Sequence, residues 1–296
     1  MSGIGRRELI FFNTKMKKMI DKILPLALTA LGATMMTKKG GLLMVSSSYL
    51  DFEPTDFVVD HVKASEGLRE NAYYATIKEK AAGQYTIGYG TSFLFYGDGR
   101  PFDNGYGYNK YAKGLNGVRS NDTLSSLKVK MGYSGLSNSD FAMQLIKNHI
   151  KGGSYSKIAK DLDARGVSYT PEVAEFLAEF AYGSSSAFNP NTTRYTDFMR
   201  VLLSSSDKIS LARACAIFRL GYYTPQDAWQ NMGVRYSWSR RVYGMAMHIK
   251  GIDIDDVQIQ KQVTTKNATG NRGNWRVELQ NLSSLFRTEL GVIVNL

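Results

Sequence analysis

The chain has 296 residues, of which 43% are hydrophobic and 21% charged, and it carries a formal net charge of +11. This length and apolar share fit a folded chain with a full core and exclude a low-complexity or disordered polymer. A single cysteine, Cys215, excludes an intrachain disulfide, and the three widely separated histidines, His61, His149 and His248, exclude a zinc site built on close ligand spacing.

The first stretch is basic and then apolar. Lys15, Lys17 and Lys18 precede a mainly apolar run from Ile23 to Met36, closed by Lys38 and Lys39. The run is shorter than the ~20 residues a membrane-spanning helix needs. Its small residues Ala30, Gly32 and Ala33 give residues 16–36 the look of a signal-peptide core; Asp21, Pro25 and the long lead before Met16 speak against it. Two readings of residues 1–54 follow: an exported or membrane-contacting extension, or an apolar helix packed on the body or on another subunit.

Thr55, after Pro54, is placed to cap a helix with Phe57, Val58, Val62 and Leu68 on one face. Gly67 is expected to end it, leaving Glu66 in the last turn. Residues 72–78 and 84–89 are rich in Tyr, Thr and Ile, which predicts a β-hairpin with "KEKAAG" as its turn. Residues 96–118, dense in Gly, Tyr and Asn, read as an irregular surface segment; Asp98 and Asp103 there lack the spacing of a calcium loop.

From there the pattern turns helical. Phe141, Leu145, Ile146 and Ile150 follow a capping Ser139, and Thr170 with Pro171 opens a helix that stops at Gly183. Residues 194–203, 210–220 and 233–250 continue the pattern, the last closed by Gly251. Cys215 lies in one of these apolar stretches and reads as a buried thiol, not a nucleophile. Past residue 252 the periodicity fades, and the acidic residues at 253–256 read as a solvated turn. The expected architecture is α+β: a small lobe with a hairpin, a larger helical lobe, and between them a cleft of the kind that holds an extended substrate. The positive charge favours polyanionic partners. With no basic run and no nucleic-acid module, a cell wall or anionic surface is preferred to specific nucleic acid.

Residues 64–92, "ASEGLRENAYYATIKEKAAGQYTIGYGTS", carry a sharper signal. They resemble the opening of phage-type lysozymes (glycoside hydrolase family 24), in which a helix ends in Glu-Gly and a hairpin carries Thr-Ile-Gly-x-Gly. The landmarks here are Glu66-Gly67 and Thr86-Ile87-Gly88-Tyr89-Gly90. "YTPEVAEFLAEFAYGSSSAF" is similar to the family's Thr-Pro helix, and "GVRYSWSRRVYGMAMHI" to its late Arg-Arg helix. The resemblance covers about residues 55–251, leaving residues 1–54 and 252–296 as extensions.

This resemblance implies a lysozyme-like fold and a muramidase that cleaves the β-1,4 bond between N-acetylmuramic acid and N-acetylglucosamine in bacterial peptidoglycan. It implies Glu66 as general acid, Thr86 as a polar group in the cleft, and Arg240, ahead of Arg241, as the arginine beside substrate and acid. It implies neither a metal nor an organic cofactor. It also implies a site of action in periplasm and cell wall after synthesis in a host cytoplasm, or carriage on a virion, with membrane or virion contact through the N-terminal segment. A general acid must hold its proton near neutral pH, and a helix C-terminus and partial burial both favour that for Glu66.

The family's second acidic residue, Asp or sometimes Cys, has no counterpart: counting forward from Glu66 lands on Ala75, and counting back from Thr86 lands on Lys80. Either Glu79 takes that place from an extended hairpin turn, its carboxyl ~6.5–9.5 Å from that of Glu66 so that a water it activates fits between them, or the group is missing. In the second case the chain is a degenerate lysozyme-fold module that binds cell wall or builds a virion.

Overall fold

The computed structural model describes residues 35–38, 41–44, 48–64, 66–103, 117–183, 188–221, 232–264, 274–294 and 296. The chain divides into two units, Met1–Phe52 and Glu53–Leu296. In the first unit, strands β1 (Met35–Lys38) and β2 (Gly41–Met44) pair antiparallel with Met35 opposite Met44. Most of the apolar run from Ile23 lies outside the described residues; its last two residues, Met35 and Met36, are strand. No helix among the described residues is long and apolar enough to cross a membrane.

The second unit is α+β, chiefly helical with a small antiparallel sheet. Helix α1 (Asp56–Lys63) starts at Thr55, whose hydroxyl accepts from the Val58 N–H, and it buries Val58, Val59 and Val62. It ends earlier than the sequence pattern suggests, with Ala64 as C-cap, so Glu66 lies just beyond the helix instead of in its last turn. Strand β3 (Arg69–Tyr73) and strand β4 (Thr86–Gly88) pair antiparallel, Tyr73 opposite Thr86 and Arg69 opposite Gly88.

The expected hairpin turn between them is instead helix α2 (Ile77–Ala82). Lys, Glu and Ala are good helix formers, and Thr76 with Glu79 closes a capping box at the start. Gly83, at φ +65°, takes the left-handed conformation that ends the helix at low cost. A run read as a turn for its charge and its glycine thus holds a complete set of helix signals.

Helices α3 (Leu124–Lys130), α4 (Asn138–Gly152), α5 (Ser154–Ala164), α6 (Pro171–Gly183), α7 (Thr193–Ser204), α8 (Lys208–Leu220) and α9 (Met232–Lys250) follow. The cap of α4 is Ser137, not Ser139, its hydroxyl accepting from the Asp140 N–H. Helix α6 is buried without interruption from Val173 to Ala181. It packs against α1, α4, α5, α8 and α9, and so forms the axis of the core. Phe180 of α6 and Phe198 of α7 converge on Phe218 of α8, with Phe198 stacked on Phe218 at 4.3 Å between ring centres. Cys215 is buried in α8, and burial pushes its thiol pKa far up, which suits an inert core group.

The tail departs from expectation. Residues 252–296 include helices α10 (Asp256–Val263) and α11 (Trp275–Leu290). Leu279, Leu282, Phe286 and Leu290 recur at helical spacing and are buried, and Phe286 packs edge-on against Tyr243 of α9 at 5.3 Å. The acidic residues at 253–256 are not merely a solvated turn: Asp255 caps α10, and Asp256 pairs with Arg240. The masking cause is dilution. One apolar stripe per turn among Arg, Gln, Asn and Ser suffices once α9 supplies the facing surface.

His248 ties the core helices together. Its Nε2 lies 2.6 Å from a Glu175 carboxylate oxygen, its Nδ1 2.7 Å from Asp253, and its ring stacks on Phe57 at 4.0 Å. The hydrogen bond to Glu175 holds its pKa above the ordinary 6.5, with Asp253 adding to the effect. A cationic group whose folded pKa is raised contributes stability that is complete below pH ~6.5 and lost as pH rises through the folded value. The denaturation midpoint is therefore expected to fall from pH 6 to pH 8, and this dependence to flatten in His248→Gln.

Candidate functional site

Glu66 leaves the end of α1 with its N–H donating to the Lys63 carbonyl, 3.2 Å away. Its half-buried side chain runs against Gly90 in the turn after β4. A Cβ at position 90 would stand 3.5 Å from the Glu66 carboxyl carbon and 3.6 Å from Oε2. Gly90 also sits at φ +87°, which L side chains rarely adopt. The "GYG" of the motif therefore lets backbone approach a carboxyl closely, a typical use of glycine beside functional groups.

The electrostatics of Glu66 follow from this placement. Burial pushes its pKa above the usual carboxylate range; the positive charge of Arg241 works against the shift, and the negative charge of Glu79 adds to it. Two phenols stand close enough to feel the carboxylate. Burial raises the pKa of Tyr73, and the Glu66 charge raises it further; the same two causes act on Tyr182. Tyr182, from α6, is fixed by donating to the Tyr89 carbonyl at 2.7 Å, and its oxygen lies 2.9 Å from the Thr91 hydroxyl. These bonds brace the Gly90 turn against the core and so hold the wall on which Glu66 rests.

The other predicted residues separate. Thr86 is on β4, but it is only 2% exposed and its hydroxyl lies 3.0 Å from Ser92. It braces the strand from inside and does not offer a free polar group to a cleft. Glu79 is in α2, where its carboxylate accepts from the Thr76 N–H at 2.9 Å while its own N–H donates to the Thr76 hydroxyl at 3.1 Å. Glu79 is a capping residue whose charge reaches Glu66, not a group in a hairpin turn, and acting as a base would require it to leave the box. Arg240 is engaged by other groups. It pairs with Asp256 at 3.3 Å and lies over the Tyr236 ring at 4.5 Å. The arginine that acts on Glu66 is Arg241, since neighbouring residues on a helix differ in direction by about 100°.

A buried ion cluster not anticipated from sequence supports Arg241. Glu179 of α6 is 0% exposed and pairs with both Arg219 of α8 and Arg241 of α9. One carboxylate therefore shares two guanidinium groups, and the charge that Arg241 presents to Glu66 is partly neutralised from behind. The signal in the sequence was Glu175 and Glu179, one helical turn apart within the otherwise apolar run from Val173 to Ala181. Charged residues there must be paired, and both are. Among the described residues no group of His, Cys, Asp and Glu is arranged to hold a metal ion. Comparison of the chain with protein-family models, with curated proteins and with solved structures finds no match.

Proposed function

We propose that the chain is a peptidoglycan hydrolase of lysozyme-like fold, with Glu66 as the proton donor to the leaving sugar oxygen. The observation that carries this reading is a half-buried carboxyl, raised in pKa and resting on a glycine turn, within the Glu-Gly…Thr-Ile-Gly-x-Gly pattern. In this reading the acid form of Glu66 protonates the glycosidic oxygen, and a carboxylate or water on the other face completes the displacement. Arg241 stabilises Glu66 once the proton has left, and Glu179 limits that pull, so that less of the upward shift caused by burial is cancelled.

A second reading, a degenerate module that binds wall or builds a virion, is favoured by one observation: Glu79 is engaged as a cap. Incubation with purified peptidoglycan separates the two. The hydrolase reading expects soluble fragments with new muramic-acid reducing ends. Co-sedimentation with the wall and no new reducing ends is the result of the binding module and overturns the enzyme reading.

A further inference from the structure

Three polar residues of α6, Glu175, Glu179 and Tyr182, follow one another at helical spacing and so lie on one face of the helix. Each reaches a different part of the surroundings of Glu66. Glu175 accepts from the Thr55 hydroxyl at 2.6 Å, at the start of the helix whose far end leads to Glu66. Glu179 holds Arg241, whose charge acts on Glu66. Tyr182 holds the turn on which the Glu66 side chain rests.

That turn is fixed at several points. Two backbone bonds of 2.9 Å close its base, from the Ile87 N–H to the Thr91 carbonyl and from the Thr91 N–H to the Ile87 carbonyl. Gly88 is set against α4, where a Cβ would stand 3.3 Å from that of Ala142. Tyr182 secures the far end. Its single proton goes to the Tyr89 carbonyl, so the Thr91 hydroxyl, in a residue 1% exposed, donates to the Tyr182 oxygen. One phenol thus grips both neighbours of Gly90. The ring is itself held, since His149 meets it edge-on at 5.1 Å. Burial and the Glu66 charge push the Tyr182 pKa far up, so the phenol keeps its proton well above neutral pH.

We propose that Tyr182 is a positioning residue for Glu66: its hydroxyl clamps Tyr89 and Thr91, keeps the Gly90 turn on the carboxyl, and so excludes water from that side. Without the clamp the turn is free to lift. Water then reaches the carboxyl, and burial, the leading cause of its raised pKa, is weakened. Tyr182 acts through this turn and not on the reacting atoms. Its effect on rate rests on the reading of Glu66 as proton donor; its effect on the Glu66 proton does not.

The test compares the full native chain with Tyr182→Phe and Thr91→Val, which remove the two hydroxyls and keep the shapes. Tyr195→Phe is the control: it makes the same chemical change in α7, where the hydroxyl bonds to Asp161 of α5. The carbon-13 titration midpoint of Glu66 is expected to fall toward 4.5 in both clamp variants and to keep its native value in Tyr195→Phe. Exchange of the Thr91 amide hydrogen is expected to speed by about fivefold or more in Tyr182→Phe, the scale of one lost hydrogen bond. The pH at which clearing of peptidoglycan is half lost is expected to fall with the midpoint. Should Tyr182→Phe fail to fold, Thr91→Val decides by the same titration. A midpoint unmoved in the clamp variants, or moved equally by Tyr195→Phe, overturns the proposal. A midpoint that moves as expected in a chain that clears no peptidoglycan supports the clamp and removes the hydrolase reading instead.

Discussion

Glu66→Gln is expected to slow the clearing of purified peptidoglycan by about 10²–10⁴-fold, the usual contribution of a positioned general acid. Glutamine keeps the shape and the contact with the Gly90 turn but has no proton to give. The native rate should fall as pH rises through the raised pKa of Glu66, because the reactive form is the acid. Stability should move the other way. An acid whose folded pKa is raised contributes stability that is complete below the unfolded value and lost as pH rises through the folded one. At neutral pH the variant should therefore be no less stable than the native chain, and a lost rate cannot be assigned to unfolding. Equal clearing by both proteins removes Glu66 from the chemistry.

Glu179→Gln should cost about 3–5 kcal/mol in urea denaturation, since it leaves Arg219 and Arg241 facing each other in the core without their shared anion. The penalty arises from the orphaned cations more than from the lost attraction. Glu179→Met combined with Arg219→Met should thus be less destabilised than Glu179→Met alone. The cluster also connects the core to the site. Without Glu179, the full charge of Arg241 bears on Glu66 and should lower its pKa, shifting the loss of activity to lower pH. A change in stability below about 1 kcal/mol, the scale of exposed ion pairs, contradicts the structural role given to the cluster.

Much of the helical body is legible in the sequence because its caps are explicit. Thr55 sits at the N-cap of α1 and Pro171 opens α6, as helix signals predict. The failures have particular causes. The "KEKAAG" run lies between two β-rich segments, which suggests a turn, although Thr76, Glu79 and Gly83 specify a short helix locally. Helices α10 and α11 were obscured because each needs only a narrow apolar stripe against α9. At the site, Glu66 and Gly90 were marked by the motif, yet their contact depends on backbone direction after β4, which no local pattern encodes. Arg240 and Arg241 are adjacent, so the choice between them turns on the rotation of α9, which is fixed by the packing of Tyr243, Met245 and Ile249 in the core. The charge of Glu79 suggests a catalytic group, but its hydrogen bond to the Thr76 N–H is what determines its place.

Proton donation by Glu66 depends on a single carboxyl holding its proton while half-buried against a glycine turn. Carbon-13 NMR titration of the Glu66 carboxyl in the intact chain tests this directly. The expected midpoint lies above the ordinary 4.5 and rises further in Arg241→Met, where the opposing charge is gone. A midpoint at or below 4.5, unmoved by Arg241→Met, would contradict it.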